Sequence, residues 1–285
     1  MLETAQKNNG LPVTGVLDAA SVGTLKKMYQ AGDTTCGAQG SVPATEAPVL
    51  PTLVPAAFAS RTQETGCQPG TEVTHVVLPA GVKAITFTFD DGPDKKYSLL
   101  YADTFKAAGL EGKSTFFEVG QQVKNHPEIT KALAARGYAI GNHTMAHPEN
   151  GDMSANEVLA AQNTIKQETG VTVEYFRAPS LMTSHLLNLI LATPSIAECD
   201  ILTEDSVFIM SDWAGRGFNQ QKADAIFESF KQNLHSEIVL LHDGGDSQQN
   251  TYLHLADMIK YAQDQGYKIV ELKKFLQMGT PSAAR

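Results

Sequence analysis

The chain is short of cysteine, of tryptophan and of long apolar runs: three Cys and one Trp occur among 285 residues. Three cysteines cannot all pair with one another, and the absence of a Cys-x-x-Cys spacing argues against a thiolate zinc site. Cys36 and Cys67 lie in polar, turn-rich sequence and can bridge if the protein is exported, whereas Cys199 sits beside an apolar run and reads as a buried free thiol. No stretch approaches the about 18 apolar residues that a membrane helix needs, and the most apolar candidate, Leu50 to Ala59, is broken by Pro51 and Pro55. Basic residues are scarce as well. Lys and Arg number 22 against 31 Asp and Glu, so the net charge of −9 argues against nucleic acid or an anionic membrane as a partner. The start, Met1 to Lys7, carries neither a basic n-region nor an apolar h-region, and it reads as cut inside a domain.

What is present divides the chain in three. A hydrophobic content of 42% is ordinary for a globular protein and supports a sizeable core. Residues 1–30 read as a small helical unit: turns at Asn9-Gly10 and Thr14-Gly15, then Asp18 placed to cap a helix through Met28 with Val22, Leu25, Met28 and Tyr29 on one face. Gly10-Leu11-Pro12-Val13-Thr14-Gly15-Val16-Leu17-Asp18 and that helix resemble the second half of a peptidoglycan-binding repeat, which implies peptidoglycan as a partner of this unit. Residues 31–80 read as a linker, because Pro43, Pro48, Pro51 and Pro55 among Ala, Thr and Ser favour an extended chain. Residues 81–285 alternate between strand and helix patterns. Strands are expected near 84–90, 113–119, 138–142, 174–178, 199–203, 207–212, 237–242 and 268–272. Helices are expected over 97–108, 122–136, 154–168, 183–192, 220–233 and 251–265, with Gly137, Gly170 and Gly266 at helix ends. Repeated β–α units imply an α/β fold with a parallel sheet, open or closed into a barrel.

Two segments carry most of the chemistry. Ala84-Ile85-Thr86-Phe87-Thr88-Phe89 is an apolar alternation that ends in two carboxylates and a turn, Asp90-Asp91-Gly92-Pro93. A buried strand delivers acids to a sheet rim in this way. His143 and His147 stand four residues apart, close enough to grip one ion if the segment coils. One carboxylate and two neutral imidazoles make a three-ligand set for a catalytic zinc or similar divalent ion, with the second carboxylate left to act as a base on water. Arg177, Asp212 and His242 also fall at the ends of expected strands, where barrels keep their catalytic rim.

The order Thr88-Phe89-Asp90-Asp91-Gly92-Pro93, His143-Thr144-x-x-His147, Phe176-Arg177-Ala178-Pro179, Asp212-Trp213 and Leu240-Leu241-His242 resembles the polysaccharide deacetylase family, carbohydrate esterase family four, over Ala84 to Leu276. The resemblance implies a distorted (β/α) barrel of the NodB type and the hydrolysis of acetyl groups on chitin, peptidoglycan or xylan. It implies one divalent metal, Zn²⁺ first and Co²⁺ or another divalent ion otherwise, held by Asp91, His143 and His147. Asp90 would be the general base with Arg177 paired to it, and His242 the general acid oriented by Asp212. Trp213 and Leu240 would line a pocket for the acetyl methyl, and the backbone N–H of Ser180 would face the developing oxyanion. Three positions depart from the family pattern: Arg177-Ala178-Pro179-Ser180 replaces Arg-Pro-Pro-Tyr at two of them, and Ile209 stands where an Asp often precedes Asp212-Trp213 by three residues; the insert from Leu186 to Asp205 also fits the pattern loosely. His75, His126, His185, His235 and His254 lie outside the motifs and are expected at the surface or satisfied in the core.

The leading expectation is thus a metal-dependent N-deacetylase of cell-wall polysaccharide, a monomer acting outside the cell or at the wall. The alternatives are an O-acetyl xylan esterase, a hydrolase of small cyclic amides on the same scaffold, and a non-catalytic wall-glycan-binding protein.

Overall fold

The computed structural model describes residues 72–282, apart from 74, 149–153, 174, 182–199, 203–206, 211, 213–216 and 247. The expected N-terminal helical unit, the linker up to residue 71, the three cysteines, the expected helix over 183–192 and Trp213 lie outside the described residues.

Among the described residues the frame is a curled, nine-stranded sheet built around β3 (Ala84–Gly92), the longest strand there. Its neighbours are β4 (Ser114–Glu118) and β9 (Ile238–His242), both parallel to it. Beyond β4 follow β5 (Ala139–Asn142), β6 (Tyr175–Arg177), β7 (Asp200–Leu202) and the short β1 (Glu72–Val73); beyond β9 lies β8 (Val207–Ile209). β10 (Lys268–Ile269) pairs in parallel with the start of β3. Only residues 203–206 join β7, next to one margin of the sheet, to β8 at the other. At about 3.3–3.6 Å per residue so short a link cannot cross a flat sheet of this width, so the sheet must curl toward closure.

The alternation of β3 explains its two environments. Ile85, Phe87 and Phe89 point outward and pack with Phe116, Ile140, Val239 and Leu241 against the helices. These are α1 (Tyr97–Ala107), α3 (Pro127–Ala135), α4 (Ala155–Thr169), α5 (Gln220–Asn233) and α6 (Gln248–Asp264). Thr86, Thr88 and Asp90 take the opposite face and are buried in the barrel interior. The far end of that interior is filled by Ala84, Phe117, Tyr175 and Ile238 against Leu272, Phe275 and Leu276 of α7 (Leu272–Met278).

Several boundaries differ from the sequence expectation. The helix expected over 122–136 is two, α2 (Gly120–Asn125) and α3, because Pro127 cannot donate to the preceding turn and starts a new helix instead. The strand expected over 268–272 stops at Ile269, and α7 takes over at Leu272. Residues 72–77, inside the expected linker, belong to the fold: β1 pairs with β7, and β2 (His75–Val77) pairs antiparallel with β11 (Thr280–Ser282). The strand expected over 207–212 ends at Ile209, which leaves Asp212 on the turn beyond it. Among the described residues no helix is long and apolar enough to cross a membrane.

His254 ties α6 to α5. Its Nδ1 meets Asp257 at 2.8 Å and its Nε2 meets Asp224 at 2.8 Å, while the ring stacks on Phe227. Burial alone would lower its pKa, but the two carboxylates outweigh that and raise it. A raised folded-state value means that the contribution is complete below the unfolded pKa of about 6.5 and is lost as pH rises through the folded value. His254→Gln should lower the melting temperature by about 1–3 °C at pH 6 and by less at pH 9, since the pairs lie near the surface. Thermal melts of the two proteins at both pH values check this, and an equal loss at both would refute the ionic account.

Candidate active site

The site gathers at the ends of β3, β5, β6 and β9 and on the turn after β8. β3 carries Asp90 into the interior, opposite His242 of β9 in register. Successive strand residues point to opposite faces, so Asp91 would face the helices if the strand continued. It does not. Asp91 adopts φ 74, a left-handed conformation that Asp tolerates better than most residues, and the register of β3 with β4 shifts between Asp90 and Gly92. The chain therefore turns between the two acids and leaves Asp91 at the rim.

His143 follows β5 directly and is buried. The two histidines lie on a loop rather than on a helix, because Thr144 (φ 70) and His147 (φ 51) are left-handed. Asn142 Oδ1 accepts the Thr144 N–H at 2.8 Å, and Thr144 Oγ1 accepts the His147 N–H at 3.2 Å. The first turn of α2 donates to the Thr144 and Met145 carbonyls, and Glu157 of α4 accepts the Ala146 N–H. His143 Nδ1–H donates to the Arg177 carbonyl at 2.8 Å, which turns Nε2 toward Asp91. Asp91 Oδ1 then lies 3.4 Å from His143 Nε2 and 3.2 Å from His147 Nε2.

Arg177 is wholly buried, with Nη1 2.6 Å from Asp90 Oδ1 and Nη2 2.9 Å from Thr88 Oγ1. Its guanidinium lies over the Phe117 ring at 4.2 Å. One oxygen of Asp90 is thereby fixed, and the other, Oδ2, faces His143 Nε2 at 3.8 Å. Across the site, His242 Nδ1 meets Asp212 Oδ1 at 2.6 Å, and Asp212 Oδ2 accepts both the His242 N–H and the Thr251 hydroxyl. Burial opposes the charged imidazole, but Asp212, with smaller help from Asp91 and Asp90, raises the His242 pKa to about 9. Asp212 thus reaches His242 even though Ile209 replaces the acid often found upstream.

Leu240 is buried on β9, on the same strand face as His242. Ser180 is exposed on a single helical turn (Pro179–Leu181) beyond β6, at φ 52. Asn142, Thr88, Thr251 and Glu157 support the site and were not singled out from the sequence. Thr88 had a visible signal, since a hydroxyl among the phenylalanines of β3 has to find a partner, and it donates to the Val239 carbonyl.

Asp91, His143 and His147 can hold a metal ion. One ligand atom from each lies within 4.8 Å of the others, and no hydrogen bond of good geometry reaches the buried Asp91 Oδ1. A carboxylate with two imidazoles suits zinc and similar divalent ions. Burial would raise the Asp91 pKa, but the close approach of His143, with the His242 and His147 imidazoles beyond it, holds it well below the usual carboxylate range. His143 shifts the other way: burial lowers its pKa, and Asp90 and Asp91 more than offset that.

A model of the family described as polysaccharide deacetylase matches residues 78–192. The chain is 28% identical over 205 residues to a peptidoglycan-N-acetylglucosamine deacetylase of Bacillus cereus, covering 70% of this chain and 91% of that protein. It is 33% identical over 169 residues to a chitooligosaccharide deacetylase of Rhizobium leguminosarum bv. trifolii, covering 56% and 71%. Among solved structures, a peptidoglycan N-acetylglucosamine deacetylase superposes with a TM-score of 0.62 at 22% identity, covering 76% of this chain and 96% of that one. A CE4 family pseudoenzyme from Bacillus anthracis superposes with a TM-score of 0.58 at 21% identity, covering 71% and 68%. At these identities the structural likeness establishes the shared fold.

A proton held on His143 has to leave when its nitrogen coordinates a metal. Calorimetric Zn²⁺ titrations near pH 7, in buffers of different ionisation heat, should therefore report net proton release on binding, and binding without release would refute a protonated His143. His143→Ala should fold and yet fail to retain stoichiometric metal; full metal content in that variant would exclude the site.

Proposed function

The chain belongs to the polysaccharide deacetylase family, and from that membership we propose that it is a metal-dependent N-deacetylase of GlcNAc polymers. Asp91, His143 and His147 hold the ion, for which zinc is the first choice. Peptidoglycan is the first substrate to test and chitin-type oligomers the second, because the relatives named above act on these. Action at the cell wall or outside the cell follows from the same choice of substrate.

The observation that carries this reading is the division of labour between adjacent carboxylates. Arg177 occupies Asp90 Oδ1 and leaves Oδ2 directed toward the three-ligand group, whereas Asp91 Oδ1 belongs to that group itself. The resemblance to a pseudoenzyme shows that this fold alone does not establish catalysis, so the proposal rests on these side chains.

A bound divalent ion would polarise the acetyl carbonyl and lower the pKa of water beside it. Asp90 Oδ2 takes a proton from the attacking water, and Arg177 keeps that carboxylate aimed while it does so. The Ser180 N–H donates to the oxygen that gains charge in the tetrahedral intermediate. His242 has Nδ1 committed to Asp212, so its other nitrogen carries the proton that passes to the leaving nitrogen as the C–N bond breaks. Acetate and a free amine result. Leu240 on the barrel face gives the acetyl methyl an apolar neighbour, a role the family pattern also assigns to Trp213.

Asp90→Asn should keep its metal and fold while kcat drops by roughly 10²–10⁴, the usual worth of a general base. Asp91→Asn should weaken metal affinity instead, and metal analysis with kinetics on both variants distinguishes the roles; the reverse pattern would overturn them. Acetate release from chitin oligomers, peptidoglycan and acetylated xylan tests the substrate class, and turnover of xylan alone would replace the amide reading with an ester one.

His242 has to be protonated to act as the acid, so activity should fall as pH rises through its pKa. With the ion neutralising Asp91, that alkaline limb should stand at or below about 9. Asp212→Asn removes the principal charge that sustains the imidazolium and should move the limb to lower pH. A pH–rate profile unchanged in that variant would remove Asp212 from the acid.

A further inference from the structure

Asp243 has no part in the mechanism above, yet it is wholly buried directly behind the turn that carries Asp91. It begins the corner between β9 and α6, and that corner grips residues 90–94 at several points. The N–H groups of Asp243 and Gly244 both donate to the Asp90 carbonyl, at 3.1 and 3.2 Å. The Asp243 carboxyl lies flat against Gly92: a β-carbon there would stand 2.5 Å from Oδ2 and 2.7 Å from Oδ1. Glycine is required at residue 92 for this close approach. The Ser98 hydroxyl donates to Asp243 Oδ2, and Ser98 Oγ accepts the Asp94 N–H at 2.7 Å. Asp94 Oδ1 in turn accepts the N–H groups of Lys96 and Tyr97, where α1 begins. Contacts through Asp243, Ser98 and Asp94 thus brace the turn from Asp90 to the first residue of α1.

Packing alone does not call for an acid at this place. Asp243 Oδ1 is buried without a hydrogen-bond donor, and a buried carboxyl lacking a cation costs more than an apolar or amide side chain of the same size. What the side chain does supply is a rigid planar wedge between Gly92 and Ser98, one residue beyond the left-handed backbone of Asp91.

We propose that Asp243 is a positioning residue for Asp91: wedged between Gly92 and Ser98, it fixes the direction in which the Asp91 carboxylate meets His143 and His147. The proposal rests on Asp91, His143 and His147 as the metal ligands.

The test measures Zn²⁺ affinity of the full chain against a competing chelator, with kcat and KM at saturating Zn²⁺ and a thermal melt for each variant. Asp243→Ala should weaken Zn²⁺ binding by about 10–100-fold, as loss of a group supporting a metal ligand does, and should lower kcat more than it raises KM. Asp243→Asn keeps the planar shape and the acceptor for Ser98, so it should restore most of that affinity. Ser98→Ala, a milder change that serves if Asp243→Ala does not fold, should show a smaller loss in the same direction. Wild-type Zn²⁺ affinity in folded Asp243→Ala or Ser98→Ala, with only a lower melting temperature, would reduce Asp243 to packing. Asn as damaging as Ala would show that charge matters rather than shape, and would equally overturn the proposal. His143→Ala is the control: if it too keeps its metal, the ligand assignment has failed, and not the role of Asp243.

Discussion

The pairing of Arg177 with Asp90 inside the barrel is the constraint from which the rest of the site follows. Two charges taken out of water survive only if each is paired and hydrogen-bonded, and removing one partner of such a pair typically costs about 3–5 kcal/mol. Here the guanidinium meets Asp90, the Thr88 hydroxyl and the Phe117 face at once, while the carbonyl of the same residue accepts the His143 N–H. One residue therefore determines where the Asp90 carboxylate points and which nitrogen of a candidate metal ligand is available. Thr88 of β3 follows from the same need, since a leucine in its place would leave Arg177 short of a partner.

A second constraint comes from opposite sides of the same strand. The outward face of β3 has to be aromatic to pack against the helices, and the inward face polar to receive Arg177. Period-two alternation meets both demands only as far as Asp90. Beyond it the chain leaves the strand geometry through a left-handed Asp91, and the close backing of Gly92 by Asp243 leaves that departure little freedom.

Most of the sheet was legible in the sequence because its strands are short apolar runs ending in polar residues. Asp90, His143, Arg177 and His242 all terminate such runs, and their convergence on one rim follows from parallel β–α topology. The link from Asp212 to His242 was less legible: it depends on a turn beyond β8, and residue spacing does not encode the path of a turn. The brace made by Ser98 and Asp243 was illegible for a different reason. Each residue reads as an ordinary helix-start or loop polar residue, and only the close approach of two distant backbones turns them into partners. Similarly, residues 72–77 carry too few side chains to announce strands, and they become strands because the margins of the sheet and residues 280–282 offer pairing partners.

The central position of β3 has a consequence for how the protein is made. Asp90 precedes them by far: both the strand that pairs with it on one side and the helix that fills the barrel floor come from the last quarter of the described residues. Until β9 arrives, β3 lacks a neighbour along one whole margin and Thr88 lacks its carbonyl partner. Long-range pairing of this kind is slow to form and yields little until it is complete. A fragment that already contains Asp90, Asp91, His143, His147 and Arg177 is therefore still without His242 and without the strand that completes this side of the sheet. The complete site in this architecture exists only once β9 has paired with β3, and it forms as a whole.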